Sequence, residues 1–114
     1  MKQSRAKGTE GELVVFVTAS SRKEAKAIAA SLVNQRLAAC ATVVGVVESL
    51  YRWQGKVERS FEAMLVIKTT MRRFPGLERE VRAMHSYKVP EIIALPIVRG
   101  SRGYLTWIRD QTGK

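Results

Sequence analysis

Two short stretches hold most of the side chains that could do chemistry. The first is HSYKVPE, residues 85–91, where the only histidine of the chain, His85, is followed by Tyr87, Lys88, Pro90 and Glu91. The second is YRWQGKVE, residues 51–58, which sets Tyr51, Arg52, Trp53, Lys56 and Glu58 around a Gln54-Gly55 pair. An imidazole close to a carboxylate can ligate a metal ion. At the C-terminal end of a helix it can equally bond the last carbonyls and complement the helix dipole. Flat Tyr51 and Trp53 faces, with Lys68 as a charge for an anion, suit one wall of a binding cleft, and plain cross-strand packing at a hairpin tip is the alternative. The single cysteine, Cys40, stands in RLAAC at the entrance to an apolar run. It reads as a small buried thiol, or as half of a thiolate dyad if the fold joins it to His85.

The same inventory excludes much. One Cys and one His cannot build a four-ligand zinc site within one chain, so such a site would need shared subunits or recruited carboxylates. There is no paired-cysteine motif, no histidine pair at helical spacing and no phosphate-binding P-loop. No acid, base and nucleophile stand together, which leaves no enzymatic reading.

The elements that must position these residues belong to one domain, since 114 residues suffice for one core and not for two. Hydrophobic residues make up 46% and charged ones 26%, a composition that folds. The net charge of +10 invites a nucleic-acid reading. Its distribution argues against one: +3 in residues 1–9, +3 in 22–36, +2 in 72–84 and +3 in 99–114, spread over a tail and helix faces. The apolar runs LVVFV, MLVI and IIALPIV are far below the roughly 18 residues needed to span a bilayer. No membrane anchor is expected. The N-terminal stretch carries Lys2, Arg5 and Lys7 without an apolar segment behind them, so residues 1–11 read as a disordered basic tail ahead of a domain over 12–114. A lone cysteine fits a reducing compartment, and the expected location is cytoplasmic.

Residues 13–18 are apolar and β-branched, which predicts a buried strand. Ser21 and Glu24 form a capping-box pattern ahead of Ala25, Ile28, Ala29, Leu32 and Val33, predicting a helix over 21–36. Residues 41–53 and 61–70 predict the strands of a long hairpin reversing at Gln54-Gly55. Phe74, Leu77, Val81 and Met84, with Pro75 in the first turn, predict a second helix ending near His85. A strand follows over 92–98, then a short closing helix through Tyr104, Leu105 and Ile108. The order β, α, β, β, α, β is the split βαβ, ferredoxin-like arrangement of the α+β class. Several strands are apolar on both faces, yet two helices cover only one. The bare face predicts a homo-oligomer, and the long hairpin strands are expected to reach onto a neighbour. RNA-recognition motifs share this order, but their basic, glycine and aromatic run is absent from SFEAMLVIKTT, so RNA stacking on the sheet is not expected.

The assembled motifs resemble the CutA divalent-cation-tolerance family: VTAS after the first strand, LVNQRLAAC, SLYRWQGKVE, EAMLVIKTT, HSYKVPEIIALPI and YLTWI, in family order over about residues 13–108. The resemblance implies a ferredoxin-like subunit in a compact homotrimer, similar to the nitrogen-regulatory PII proteins, with clefts between subunits. It implies a non-enzymatic role in tolerance to copper and other divalent metals. It also implies that Tyr51, Trp53, Lys68, His85, Tyr87, Pro90 and Glu91 gather near the cleft. Members with a proposed copper site can place a thiol at the position of Val17 and a second histidine at that of Met84. Here both are apolar, so only His85 carries over directly, with Cys40 and Glu91 as supplementary ligands.

Two readings follow. One is a trimeric metal-tolerance protein that binds divalent cations, copper among them, weakly through His85, Cys40 and Glu91. The other is a PII-like sensor that holds a small anionic ligand with Tyr51, Trp53, Lys68, Tyr87 and Glu91.

Overall fold

In the computed structural model, which describes residues 11–113, the chain runs β1 (Glu12–Ala19), α1 (Arg22–Asn34), β2 (Cys40–Trp53), β3 (Lys56–Thr70), α2 (Phe74–Met84), β4 (Ile92–Pro96) and α3 (Arg102–Thr112). The strands form one antiparallel sheet in the order β2-β3-β1-β4, the ferredoxin-like α+β arrangement expected. Of the tail expected over residues 1–11, all but Gly11 lies outside the described residues. Gly11 itself is fixed, its carbonyl accepting from the Met71 N–H at 3.0 Å.

Period-two alternation decides which face of the sheet is dry. Leu13, Val15, Val17 and Ala19 of β1, with Ala63, Leu65 and Ile67 of β3, point to one side, where α1 and α2 cover them. Those helices contribute Ala25, Ile28, Ala29, Leu32, Leu77 and Val81, all buried. Burying each large aliphatic side chain stabilises the fold by about 1.5–3 kcal/mol.

α1 opens as its sequence predicts, with Ser21 Oγ accepting from the Glu24 N–H at 3.1 Å. The return half of the capping box is shifted by one residue. Glu24 Oε1 accepts from the N–H and hydroxyl of Ser20 at 2.9 and 2.8 Å, not from Ser21. The helix stops at Asn34, two residues short of expectation, because Arg36 turns the chain at φ 59°. The Leu37 and Ala38 N–H groups then both return to the Leu32 carbonyl, at 2.9 and 3.2 Å.

The hairpin differs more. β3 begins at Lys56, five residues before the expected start at 61. Trp53 pairs with Lys56 across a two-residue turn in which both Gln54 (φ 50°) and Gly55 (φ 82°) are left-handed, the geometry that matches the twist of the strands. The polar segment 56–60 lacks an apolar alternation, and its strand form comes from its ladder with β2. Because β1 reaches only Ala63, residues 46–62 project as a two-stranded arm. β4 ends at Pro96, short of the expected 98; Pro96 has no N–H to continue a ladder and sits on an edge strand, where that loss is tolerated.

α3 is a full 11-residue helix, not a short one, and lies on the other side of the sheet. Arg109 pairs with Glu12 at 2.7 Å and Tyr104 meets Cys40, both on the face that α1 and α2 leave open. It covers one end only. Ile93 and Leu95 of β4, which register with Phe16 and Val14 on that face, remain 52% and 53% exposed. The bare apolar surface inferred from the two-sided strands is therefore present.

Candidate functional site

A single irregularity decides what the arm presents. Up to Val44 the even-numbered residues of β2 pair with the even-numbered residues of β3: Cys40 with Lys68, Thr42 with Val66, Val44 with Met64. Gly45 is then left unpaired as a β-bulge, and Val47 pairs with Glu62, Ser49 with Ser60, Tyr51 with Glu58 and Trp53 with Lys56. After the bulge it is the odd residues of β2 that share the open face. Tyr51, Trp53, Glu58 and Glu62 are thereby brought to one side of the sheet, the side of Thr18.

That side holds a cleft of about 560 Å³. The arm supplies Ser49, Tyr51, Trp53, Glu58 and Glu62, β1 supplies Thr18, and the segment joining α2 to β4 supplies Tyr87, Lys88 and Glu91. Four of the residues singled out in the sequence, Tyr51, Trp53, Tyr87 and Glu91, meet here.

His85 does not line this cleft. Its side chain is fully buried, and both ring nitrogens are engaged. Nε2 lies 2.7 Å from the Thr18 carbonyl, and the Tyr87 N–H approaches Nδ1 at 3.0 Å. A carbonyl only accepts and a backbone N–H only donates, so these two contacts fit the imidazole tautomer that carries its hydrogen on Nε2. The imidazole thus ties the end of β1 to the segment behind α2 and leaves no lone pair for a metal. Its own N–H bonds the Val81 carbonyl, so the helix end is capped by backbone and not by an imidazolium.

The tie sets up Tyr87. Its ring packs against His85 with centroids 4.7 Å apart, and its hydroxyl donates to Glu62 Oε2 at 2.7 Å. Burial, and then the hydrogen bond and negative charge of Glu62, push the phenol well above its ordinary range, so it stays a donor. Glu24 holds the same segment from the other side. Its Oε2 accepts from the Ser86 N–H at 2.7 Å while Oε1 holds Ser20. Burial would raise this carboxyl, but hydrogen bonds from Ser20 and Ser86 outweigh it and bring the pKa from 4.5 to about 2.

Cys40 and Lys68 form a different group. They are cross-strand partners at the far end of the open face, with Lys68 Nζ 3.9 Å and Tyr104 OH 3.7 Å from Cys40 Sγ. The bond to Cys40, followed by burial, pushes the Tyr104 phenol up. Thr18 registers with Met64 and Cys40 with Lys68, so four residues of β3, about 13 Å, separate this group from the cleft. Within one chain, then, the set His85, Cys40 and Glu91 does not converge, nor does Lys68 join the aromatic residues. Among the described residues, no three His, Cys, Asp or Glu side chains are grouped to hold a metal ion.

Sequence reasoning passed over Glu62 and Glu24. A lone carboxylate between Phe61 and the apolar run AMLVI is the signal that could have found Glu62. The capping-box pattern accounts for only part of what Glu24 does, since its bonds to Ser86 join residues 62 apart and have no local signature.

A family model described as CutA1 divalent ion tolerance protein matches residues 13–111. The chain is 50% identical over 102 residues to the divalent-cation tolerance protein CutA of Thermus thermophilus, covering 90% of this chain and 99% of that protein. It is 41% identical over 112 residues to the chloroplastic protein CutA of Arabidopsis thaliana, covering 98% of this chain but 62% of that protein. The solved Thermus structure superposes with a TM-score of 0.88 over 90% of this chain and 99% of its own. CutA1 of Shewanella sp. SIB1, 38% identical, also gives 0.88, covering 93% of this chain and 99% of its own.

Proposed function

The chain belongs to the CutA1 divalent ion tolerance protein family, and on that premise we propose that it serves divalent-metal tolerance as a non-enzymatic, cytoplasmic homotrimer. The observation that carries the reading is the near full-length kinship with proteins named for this tolerance. The half-exposed Ile93 and Leu95 support self-association, because so apolar a face is costly in water. The cleft supports a weak interaction with cations. Three of the chain's ten acidic residues, Glu58, Glu62 and Glu91, line it against a single Lys88, in a protein of net charge +10.

Copper at a site built on His85 and Cys40 finds less support, since the imidazole is committed to Thr18 and Tyr87. Oxygen sites hold divalent ions with Kd from about 10⁻⁹ to 10⁻³ M according to how many ligands they gather and how rigidly, and because no three acidic, His or Cys side chains among the described residues are grouped to hold a metal ion, the cleft falls at the weak end. A small anionic ligand also finds less support, since Lys68 lies about 13 Å along β3 from the cleft and Lys88 is the one basic residue of the lining against three carboxylates. Calorimetry of the tag-free protein with zinc and copper tests the metal reading. Weak binding that Glu91→Gln diminishes and Cys40→Ser leaves intact is expected, and tight binding lost on Cys40→Ser overturns it. A solution mass near a trimer of 12.8 kDa chains, about 38 kDa, tests the assembly.

A further inference from the structure

Glu62 is a carboxylate set almost wholly inside the protein, with no ion-pair partner among the described residues. It is 8% exposed, yet it lines the cleft. One oxygen accepts from the Tyr87 hydroxyl, and among the described residues no Lys, Arg or His forms an ion pair with the carboxylate. Taking an ionised carboxylate out of water costs several kcal/mol unless a cation or further donors compensate. Glu58 from the arm and Glu91 from the connecting segment add two more carboxylates without ion pairs among the described residues.

The rest of the lining favours an organic cation over a bare ion. Trp53 and Tyr51, 49% and 41% exposed, offer aromatic faces, which attract cations by about 0.5–2 kcal/mol each. A volume of about 560 Å³ matches sites for small organic ligands, and no three acidic, His or Cys side chains among the described residues are close enough together to enclose a metal ion.

We propose that the arm cleft binds a small organic cation, an ammonium or guanidinium on an apolar or aromatic body. The charged group sits between Glu62 and Glu91, and the body lies against Trp53 and Tyr51. The inference rests on this cleft being the ligand site, as in the proposed function, but not on whether a metal binds.

The test uses the full chain in a buffer containing EDTA, titrated with phenethylammonium, with its neutral counterpart 2-phenylethanol and with its anionic counterpart 3-phenylpropionate. Calorimetry and tryptophan fluorescence are read together, the latter in a Trp107→Phe background so that Trp53 alone reports. Phenethylammonium should bind saturably, at least tenfold tighter than either counterpart. Glu62→Gln, which keeps an acceptor for Tyr87, should weaken it at least tenfold, and the more exposed Glu91→Gln about threefold. Equal binding of all three probes, no binding of the ammonium to the folded protein, or ammonium affinity unchanged in Glu91→Gln overturns the proposal; so does unchanged affinity in a folded Glu62→Gln. Zinc and copper titrations without chelator read the metal question separately. Metal binding without ammonium binding sinks this inference alone, and ammonium binding without metal binding sinks the metal reading alone.

Discussion

Replacing Glu24 by Gln should destabilise the protein by an amount that depends on pH. The side chain is 14% exposed and joins three places at once: Ser20 after β1, the first turn of α1, and Ser86 after α2. Its pKa falls from 4.5 to about 2 on folding. At about 1.4 kcal/mol per pKa unit, the ionised carboxylate contributes on the order of 3 kcal/mol near neutrality. The sign follows from the direction of the shift. A carboxyl whose pKa is depressed by folding contributes fully above the unfolded value near 4.5, and the contribution is lost as pH falls through that value toward 2. His85 Nδ1, at 4.0 Å, and the two serines are the groups that face it. Gln keeps one acceptor oxygen and similar bulk, so the loss should be about 2–3 kcal/mol at pH 7 and should shrink steadily below pH 4.5. Urea unfolding of both proteins at several pH values between 7 and 3, at one fixed protein concentration because assembly couples to stability, reads the difference directly. A gap under about 0.5 kcal/mol at pH 7, or a gap that stays constant down to pH 3, would refute the account of Glu24 as a charged clamp.

Further substitutions probe other links. Tyr87→Phe deprives buried Glu62 of its donor at 2.7 Å and should cost about 1–3 kcal/mol in urea unfolding, an effect that a decorative hydroxyl would not have. Gly55→Ala meets no neighbouring atom within 4 Å but must adopt φ 82°, so a loss of about 1–2 kcal/mol in thermal unfolding should come from backbone conformation alone. Ile28→Ala, at a fully buried site between α1 and the sheet, should cost about 2–5 kcal/mol, and a value under 1 would mean that the core relaxes around the loss. Leu95→Lys places a charge on the open face and should lower the sedimentation mass toward a single 12.8 kDa chain, whereas an unchanged mass would place the contact elsewhere.

Much of the scaffold could be read from residue types. Ser21 with the apolar period behind it marks α1, Pro75 marks the start of α2, and Gln54-Gly55 marks the reversal, because each signal is local. The start of β3 was missed because Lys56 to Ser60 are held by pairing across the turn and not by burial. The side of the sheet taken by α3 has no local signature either. It depends on Arg109 finding Glu12, 97 residues away. The site divided along the same line. Tyr51, Trp53, Tyr87 and Glu91 were singled out by type and do meet, but the separation of Cys40 and Lys68 from them is a property of register. The engagement of His85 by Thr18 and Tyr87 could not be read from a histidine at a helix end.

The bulge at Gly45 is one residue that β2 has and β3 lacks. Val44 stays opposite Met64 and Val46 opposite Ala63, so the pairs on either side of it remain in register. Removing Gly45 would close the ladder and leave Tyr51 opposite Glu58 and Trp53 opposite Lys56, because the two-residue turn at Gln54-Gly55 fixes those pairs. The lining of the cleft would keep its order and its face. What the bulge governs is the local bend and twist of β2 where the arm leaves the body of the sheet, and so the direction in which the arm carries its aromatic and acidic residues. In this architecture the aim of the arm and the chemistry it bears can therefore be inherited separately.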